Sequence, residues 1–179
     1  RMTDKQGVKI TKIEGQDLPL DVKRNVAGVA AQAMLAKHPA NCGFEIEIYK
    51  KIKAGSGIGS SAASAAGAVF GINELLGKPY NTHDLIQFAM EGESVASGSA
   101  HADNVAPVLL GGFTLVRSIN PVDVIKLPSP SELMAVVLHP KIELKTMHAR
   151  EILKNNVTLK KAITQWGNLA AFISALYTE

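Results

Sequence analysis

The sequence has 179 residues, of which 46% are hydrophobic and 20% are charged, and its formal net charge is +3 at pH 7. This hydrophobic share is sufficient for a packed core and excludes a disordered chain, while so small a positive charge does not by itself indicate nucleic-acid binding. The single cysteine excludes an internal disulfide, and the longest nearly apolar run, residues 62–72, is too short for a membrane span, so we expect a cytoplasmic protein.

Predicted strands and helices alternate along the chain. Apolar residues at every second position predict strands over residues 7–14 and 44–48, and an apolar run predicts one over residues 133–138. Residues 112–117 and 122–127 are predicted to form a hairpin with Asn120 and Pro121 at its turn. Apolar spacing of three and four predicts helices over residues 22–37, 60–76 and 158–177, another that begins at Asn81 or Thr82, and a short one near Arg150. This order favours an α+β fold over a doubly wound parallel sheet. Pro128 and Pro130 indicate a domain boundary, which divides the chain into residues 1–128 and 129–179.

The segment GSGIGSSAASAA, residues 55–66, is the most informative part of the sequence. Glycines at alternate positions let the backbone turn its N–H groups inward, and the alanine-rich run that follows predicts a helix. A glycine loop that leads into a helix N-terminus is a site for an anion such as phosphate; the alternative is a flexible turn before a closely packed helix. The spacing excludes the Walker loop, which needs a lysine after the last glycine, and the G-x-G-x-x-G dinucleotide motif.

This segment resembles the second motif of the GHMP kinases, P-x-x-x-G-[LI]-G-S-S-A-A, with the core of the motif matched by residues 55–63. The proline expected near the start of the loop is absent, and Lys53 lies two residues before Gly55. Two further segments are similar to those of the homoserine kinases within that superfamily. They are HADNVAP from His101, followed by Gly111, Gly112 and Phe113, and TMHAREIL from Thr146. Because the three matches occur in the family's order and spacing, we identify the chain as a member of this superfamily.

The resemblance implies a two-domain GHMP architecture with the active site in the cleft between the domains. Residues 1–128 would then form the ATP-binding N-terminal domain without its first strands, and residues 129–179 the beginning of the C-terminal domain. The first and third family motifs are not in this sequence, and its first residue is Arg1. We therefore expect a fragment that is inactive as a kinase alone, and a homodimer for the full-length protein.

The resemblance also implies a site for ATP and Mg²⁺. The phosphates would lie against the loop residues Gly55, Ser56, Gly57, Ile58, Gly59, Ser60 and Ser61. Ser61 and Glu93 would hold Mg²⁺, which prefers one or two protein oxygens besides phosphate and water. Glu91, two residues earlier on the same predicted helix, is a control for Glu93, because it would point elsewhere and bind no metal. Asn25 would contact the nucleotide base region, with a helix-capping or surface role as the alternative. Lys50, Lys51 and Lys53 crowd the loop entrance, where a charged strand end is the simpler interpretation.

The acceptor implied by the resemblance is L-homoserine, which has a carboxylate, an ammonium and a reacting hydroxyl. Arg150 would bind the carboxylate through two parallel hydrogen bonds, and His101 and Asn104 would contact the amino acid. Asp103 would accept the hydroxyl proton or only hold its loop in place, and a loose phosphoryl-transfer transition state tolerates either role. Thr146 would bond to the reacting hydroxyl or cap the helix that carries Arg150.

Two other functions remain open. The first is a GHMP kinase that acts on a mevalonate-type or sugar alcohol, against which the H-x-D-N-V-A-P stretch and Arg150 argue. The second is a non-catalytic module of the same fold that binds nucleic acid, for which a basic stripe with stacking aromatic residues is expected. Only nine aromatic residues are present, and most of them fall in apolar patterns, so the resemblance favours ATP and L-homoserine as partners, without nucleic acid or membrane.

Overall fold

The structure, a computed structural model, describes residues 1–37, 40–138 and 152–178. Its strands are β1 (Met2–Thr3), β2 (Gly7–Glu14), β3 (Gly43–Tyr49), β4 (Phe113–Ile119) and β5 (Val122–Leu127). Its helices are α1 (Val26–Lys37), α2 (Ser60–Leu75), α3 (Thr82–Ser97), α4 (Val105–Leu110) and α5 (Leu159–Ala175), with a 3₁₀ turn at Val22–Arg24. The predicted α+β mixture is confirmed in this order of elements.

A three-stranded sheet and three helices form the core of the N-terminal part. The strand order is β1-β3-β2, in which β1 is antiparallel and β2 is parallel to β3. The parallel pair requires a crossover, which α1 provides. The strand residue Phe44 is buried in one hydrophobic cluster with one face of α1 and α2, and Val8 and Ile46 pack against that cluster. The sheet and the helices therefore share one hydrophobic core.

Small residues let α1, α2 and α3 approach one another closely. Buried alanines lie along all three helices, at Ala30, Ala31, Ala62, Ala65, Ala66 and Ala89. At the crossing of α1 and α3, a β carbon on Gly92 would overlap the carbonyl oxygen of Val26 and lie 2.8 Å from the Ala30 Cβ. This close packing fixes α3 against α1.

Asn25 divides the helix predicted over Val22–Lys37 into two pieces. Its backbone is extended, with φ −123° and ψ 129°, and its Oδ1 accepts a hydrogen bond from the Ala27 N–H at 3.1 Å. A side chain that accepts from the first turn is a helix N-cap, so α1 begins at Val26. The residues before Asn25 form only the 3₁₀ turn.

Other boundaries follow their capping residues. Asn81 and Asp84 form a reciprocal capping box at the start of α3, and the Thr158 side chain caps α5. The predicted hairpin is confirmed as the antiparallel pair β4–β5.

The predicted strand over residues 133–138 is wrong, because these residues form no helix or strand and Met134 and Val136 are each 91% exposed. An apolar segment becomes a strand only when it pairs with another one, and the part of the chain that the structure describes provides none here. Among the described residues, no helix combines the length and apolar character needed to cross a membrane.

Candidate active site

The segment between β3 and α2 adopts the conformation that its glycines allow. Gly55, Gly57 and Gly59 have φ of +73°, +77° and +75°, a region that side chains with a β carbon rarely enter. Gly59 is the N-cap of α2 and has no side chain to bind the N–H groups of the first turn. A turned backbone and an uncapped helix N-terminus therefore meet at the same end of the loop, which is the geometry of an anion site.

The two ends of the loop are tied together. Ser60 is buried, and its Oγ donates a hydrogen bond to the Ile52 carbonyl at 2.7 Å. Its hydroxyl is thus occupied inside the protein, and its backbone N–H is the group that it can offer to a ligand. Ser56 Oγ is shielded from solvent and makes no hydrogen bond among the described residues, whereas Ile58 is exposed.

Ser61 and Glu93 are brought together by the packing of α2 on α3. The Ser61 Oγ donates a hydrogen bond to Glu93 Oε1 at 2.7 Å. Glu93 is only 7% exposed, while Glu91 on the same helix is exposed. A glutamate on a solvated helix face is the ordinary case, and Glu93 departs from it. Ser61 is the second residue of the helix that follows the glycine loop, so the two oxygens meet beside the end of that loop.

The electrostatic environment of Glu93 is mixed. Burial raises the pKa of the Glu93 carboxyl, the hydrogen bond from Ser61 lowers it, and the nearby negative charge of Asp103 raises it further. His101 and Lys50 act in the opposite direction on the same pKa. A carboxylate that is buried at a cost, close to hydroxyl and cationic groups, is typical of functional sites.

Lys50 follows β3 directly and reaches the first turn of α2. Its Nζ donates hydrogen bonds to the Ser60 carbonyl at 2.6 Å and to Ser64 Oγ at 2.8 Å. Burial lowers the pKa of Lys50, and the charge of Glu93 opposes that shift. The simple interpretation of a charged strand end does not describe this residue, since its ammonium group is half-buried against the loop.

The segment that precedes α4 lies beside the glycine loop. A β carbon placed on Gly59 would lie 3.6 Å from Asn104 Oδ1. Asp103 and Asn104 are exposed, with Asp103 Oδ1 accepting from the Asn104 N–H at 3.1 Å. The His101 Nε2 is 2.6 Å from Ser99 Oγ. The structure therefore places Asn104 next to the predicted phosphate loop, and His101 and Asp103 lie in the same segment as Asn104.

Asn25 lies on a cavity of about 170 Å³ that also borders Ser61, Lys50 and Val95. Its amide is engaged by the protein itself, because Nδ2 donates to the Pro19 carbonyl at 2.9 Å in addition to the capping bond with Ala27. Asn25 therefore has the helix-capping role that was the alternative interpretation, and its contact with a nucleotide base stays a prediction. Thr146 and Arg150 lie outside the described residues.

A magnesium ion fits the oxygen donors at this site. In the described ranges, 1–37, 40–138 and 152–178, no group of three or more histidine, cysteine, aspartate or glutamate side chains could hold a metal ion. Ser61 and Glu93 supply two hard oxygens instead, and Mg²⁺ commonly takes its remaining ligands from phosphates and water. The pair suits a metal ion that arrives with a phosphate ligand.

Sequence reasoning missed Gln16, which contacts the loop entrance from the end of β2. Its Nε2 donates to the Ile52 carbonyl and its Oε1 accepts from the Ala54 N–H, both at 2.7 Å. No sequence signal indicated this contact, because a lone glutamine after a strand has no characteristic pattern.

Known proteins are similar to this chain in sequence and fold. A family model of the GHMP kinases N terminal domain matches residues 24–112. The homoserine kinase of Chlorobium phaeobacteroides strain BS1 is 46% identical over 180 residues, which cover 96% of this chain and 56% of that protein. For the homoserine kinase of Methanococcus vannielii the identity is 44%, with 98% of this chain and 58% of that protein covered.

A crystal structure of homoserine kinase from Cytophaga hutchinsonii superposes with a TM-score of 0.90 at 48% identity, and covers 97% of this chain and 56% of that one. The GHMP fold predicted from the three motifs is thereby confirmed. The chain spans about half the length of the curated relatives that it matches. It belongs to the GHMP kinase family, with homoserine kinases as its relatives.

Proposed function

We propose that the protein is an ATP-dependent kinase that phosphorylates the side-chain hydroxyl of L-homoserine, a step of threonine biosynthesis. The observation that carries this proposal is the Ser61–Glu93 hydrogen bond of 2.7 Å at the start of the helix that follows the glycine loop. It supplies a hydroxyl and a carboxylate beside a phosphate-type anion site, as phosphoryl transfer requires. The choice of homoserine rests on relatives named homoserine kinase.

Positioning and charge neutralisation carry most of the catalysis in such a reaction. The N–H groups of Gly55–Ser61 and the N-terminus of α2 would bind the phosphates of ATP, and Ser56 Oγ would gain a partner there. Ser61 and Glu93 would hold Mg²⁺, which when bound neutralises charge on the phosphate oxygens. Lys50 would keep the first turn of α2 in place through the Ser60 carbonyl.

The acceptor would lie beside the loop, against the segment of residues 101–104. His101 and Asn104 would contact the amino acid, and Arg150 would bind its carboxylate through paired hydrogen bonds. Asp103 would accept the hydroxyl proton or order this segment, and its bond from the Asn104 N–H supports an ordering role. Thr146 would bond to the reacting hydroxyl or cap the helix of Arg150.

A thermal-shift screen tests the acceptor. The full-length protein, meaning the complete product of the gene that encodes these 179 residues, is mixed with a non-hydrolysable ATP analogue and Mg²⁺. L-Homoserine, mevalonate and galactose are then added separately. We expect the largest rise in melting temperature with L-homoserine, because a ligand that binds only the folded state stabilises it. A larger rise with mevalonate or galactose would contradict the proposed acceptor.

We further propose that the protein is cytoplasmic and that the full-length form is a homodimer that binds neither nucleic acid nor membrane. The single cysteine supports the reducing compartment. The oligomeric state is tested by light scattering of the full-length protein, in which a monomer mass would contradict the homodimer.

A further inference from the structure

We propose that Gln16, in the segment that follows β2, is a positioning residue for the Gly55–Ser61 loop. The inference rests on the proposed function in one respect, namely that this loop binds the phosphates of a nucleotide. Gln16 itself is 36 positions from the group to which it donates. It acts on the ligand through the loop backbone.

The Gln16 side chain holds both sides of one peptide segment. Its Nε2 donates to the Ile52 carbonyl at 2.7 Å, and its Oε1 accepts from the Ala54 N–H at 2.7 Å. These two backbone groups flank Lys53, so the amide spans the residue at which the chain enters the loop. Because one amide group donates one of these hydrogen bonds and accepts the other, the pair fixes both the position and the orientation of the loop backbone relative to Gln16.

The Ile52 carbonyl also joins the two ends of the loop. It accepts a second hydrogen bond from Ser60 Oγ at 2.7 Å. One oxygen is therefore shared between the end of β2, the entrance to the loop and the first turn of α2. Residues 53–59 form a loop that is closed at its base, and Gln16 connects that base to the sheet.

The end of β2 is shaped to bring Gln16 to this position. Gly15 has φ +93°, and a β carbon on it would overlap the Lys50 carbonyl oxygen. The Lys50 N–H in turn donates to the Glu14 carbonyl at 2.8 Å. The backbone of residues 14–16 thus lies directly against the strand end that leads into the loop.

A loop that binds phosphate through N–H groups needs those groups oriented before the ligand arrives. The three left-handed glycines make the loop flexible in the absence of other restraints. The Lys53 carbonyl accepts a hydrogen bond from the Ser56 N–H at 3.3 Å, but a lysine does not fix φ at the loop entrance as a proline would. The two hydrogen bonds from Gln16 supply that restriction from outside the loop.

The test compares Gln16→Met, which keeps the length of the side chain and removes both hydrogen bonds, with Gln6→Met at an exposed position. The dissociation constant for the ATP analogue AMP-PNP with Mg²⁺ is measured by calorimetry on the full-length protein. We expect Gln16→Met to weaken binding about tenfold and Gln6→Met to leave it unchanged. Gln16→Asn, too short to reach both groups, is expected to fall between the parent and Gln16→Met, and serves if the methionine variant does not fold.

A second substitution that restores binding would distinguish a positioning role of Gln16 from a general structural role. Adding Lys53→Pro to Gln16→Met restricts the loop entrance without restoring either hydrogen bond. We expect the double variant to bind AMP-PNP within about threefold of the parent. Equal affinity of Gln16→Met and Gln6→Met, or no recovery in the double variant, would overturn the inference.

A loop variant shows separately whether the proposed phosphate site itself is wrong. If Gly57→Val in the same assay does not weaken AMP-PNP binding, the loop is not the phosphate site, and the assignments of loop and Gln16 both fall. If Gly57→Val weakens binding while Gln16→Met does not, only the role of Gln16 is wrong.

Discussion

Ser61 Oγ and Glu93 Oε1 lie 2.7 Å apart, although the two residues are separated by 32 positions in the chain. The contact depends on the close packing of α1, α2 and α3, in which Gly92 lies against Val26 and Ala30. This packing explains why the residue next to Glu93 is a glycine, because a β carbon there would push α3 away from α1. The core of the domain and the candidate metal ligands are therefore coupled through neighbouring positions on α3.

Replacing Gly57 tests the phosphate loop. A β carbon on Gly57 meets no protein atom within 4 Å, but its φ of +77° disfavours any side chain. Gly57→Val is therefore expected to raise the KM for ATP sharply, by strain in the loop and by blocking the approach of the ligand. Gly67→Val on α2, which also meets no atom within 4 Å, is the control. An unchanged KM for ATP in Gly57→Val would exclude the loop as the triphosphate site.

Glu93 and Glu91 form a matched pair for testing the metal site. Glu93→Ala is expected to lower turnover by about two orders of magnitude or more, with partial recovery at high Mg²⁺, because a metal ligand is lost. Glu91→Ala on the exposed face is expected to behave as the parent. The measurement is the initial rate at several Mg²⁺ concentrations, and similar rates for the two variants would show that Glu93 is not a ligand.

The pH dependence of stability tests the buried charge. Burial raises the pKa of Glu93, so the folded protein binds a proton at this carboxyl more tightly than the unfolded chain does. The resulting stabilisation is fully present below the unfolded pKa of a glutamate, about 4.3. It is lost as the pH rises through the folded pKa. At neutral pH the ionised carboxylate thus lowers the stability of the ligand-free protein. We expect Glu93→Gln, without Mg²⁺ or nucleotide, to raise the melting temperature at pH 7 by an amount that disappears toward pH 4.

Glu91→Gln is the control for this comparison, because Glu91 is exposed on the same helix. A Glu93→Gln variant whose melting temperature differs from the parent equally at pH 7 and pH 4 would show that the buried charge is not the cause. A Glu91→Gln variant that reproduced the pH dependence would lead to the same conclusion.

Arg150, whose role is predicted from the sequence alone, is tested through the acceptor. Arg150→Ala is expected to lower kcat/KM for L-homoserine about a hundredfold, because two charge-assisted hydrogen bonds to the carboxylate are lost. The affinity for ATP should stay close to that of the parent. Arg117→Ala, which removes only a surface ion pair with Asp123 at 3.3 Å, is the control, and normal kinetics for homoserine in Arg150→Ala would return Arg150 to a surface role.

Features set by neighbouring residues could be predicted from the sequence, whereas those that depend on distant residues could not. Helix α2 was predicted within one residue and the start of α3 at its capping residue, because glycines, prolines and Asn81 act over a few positions. Helix α4 was missed, since six residues with Pro107 among them show no helical period. The strand over residues 133–138 was wrong because pairing is decided by a distant partner.

The candidate site shows the same limit. The loop could be predicted because its glycines and serines are adjacent in the sequence. Glu93 was assigned through the family resemblance, since no local pattern distinguishes it from Glu91. The contacts of Gln16 with Ile52 and Ala54 and of Lys50 with Ser60 join side chains to backbone groups across 10 to 38 positions, and these appear only in three dimensions.

Homoserine kinase activity is tested most directly by following the formation of O-phospho-L-homoserine with phosphorus NMR. The full-length protein is supplied with ATP and Mg²⁺, and the parent is compared with Glu93→Ala. We expect a new phosphomonoester signal that requires L-homoserine and is absent with mevalonate or galactose. Its rate of formation should fall by about a hundredfold in Glu93→Ala. Phosphorylation of another alcohol in preference to homoserine, or an unchanged rate in Glu93→Ala, would contradict this expectation.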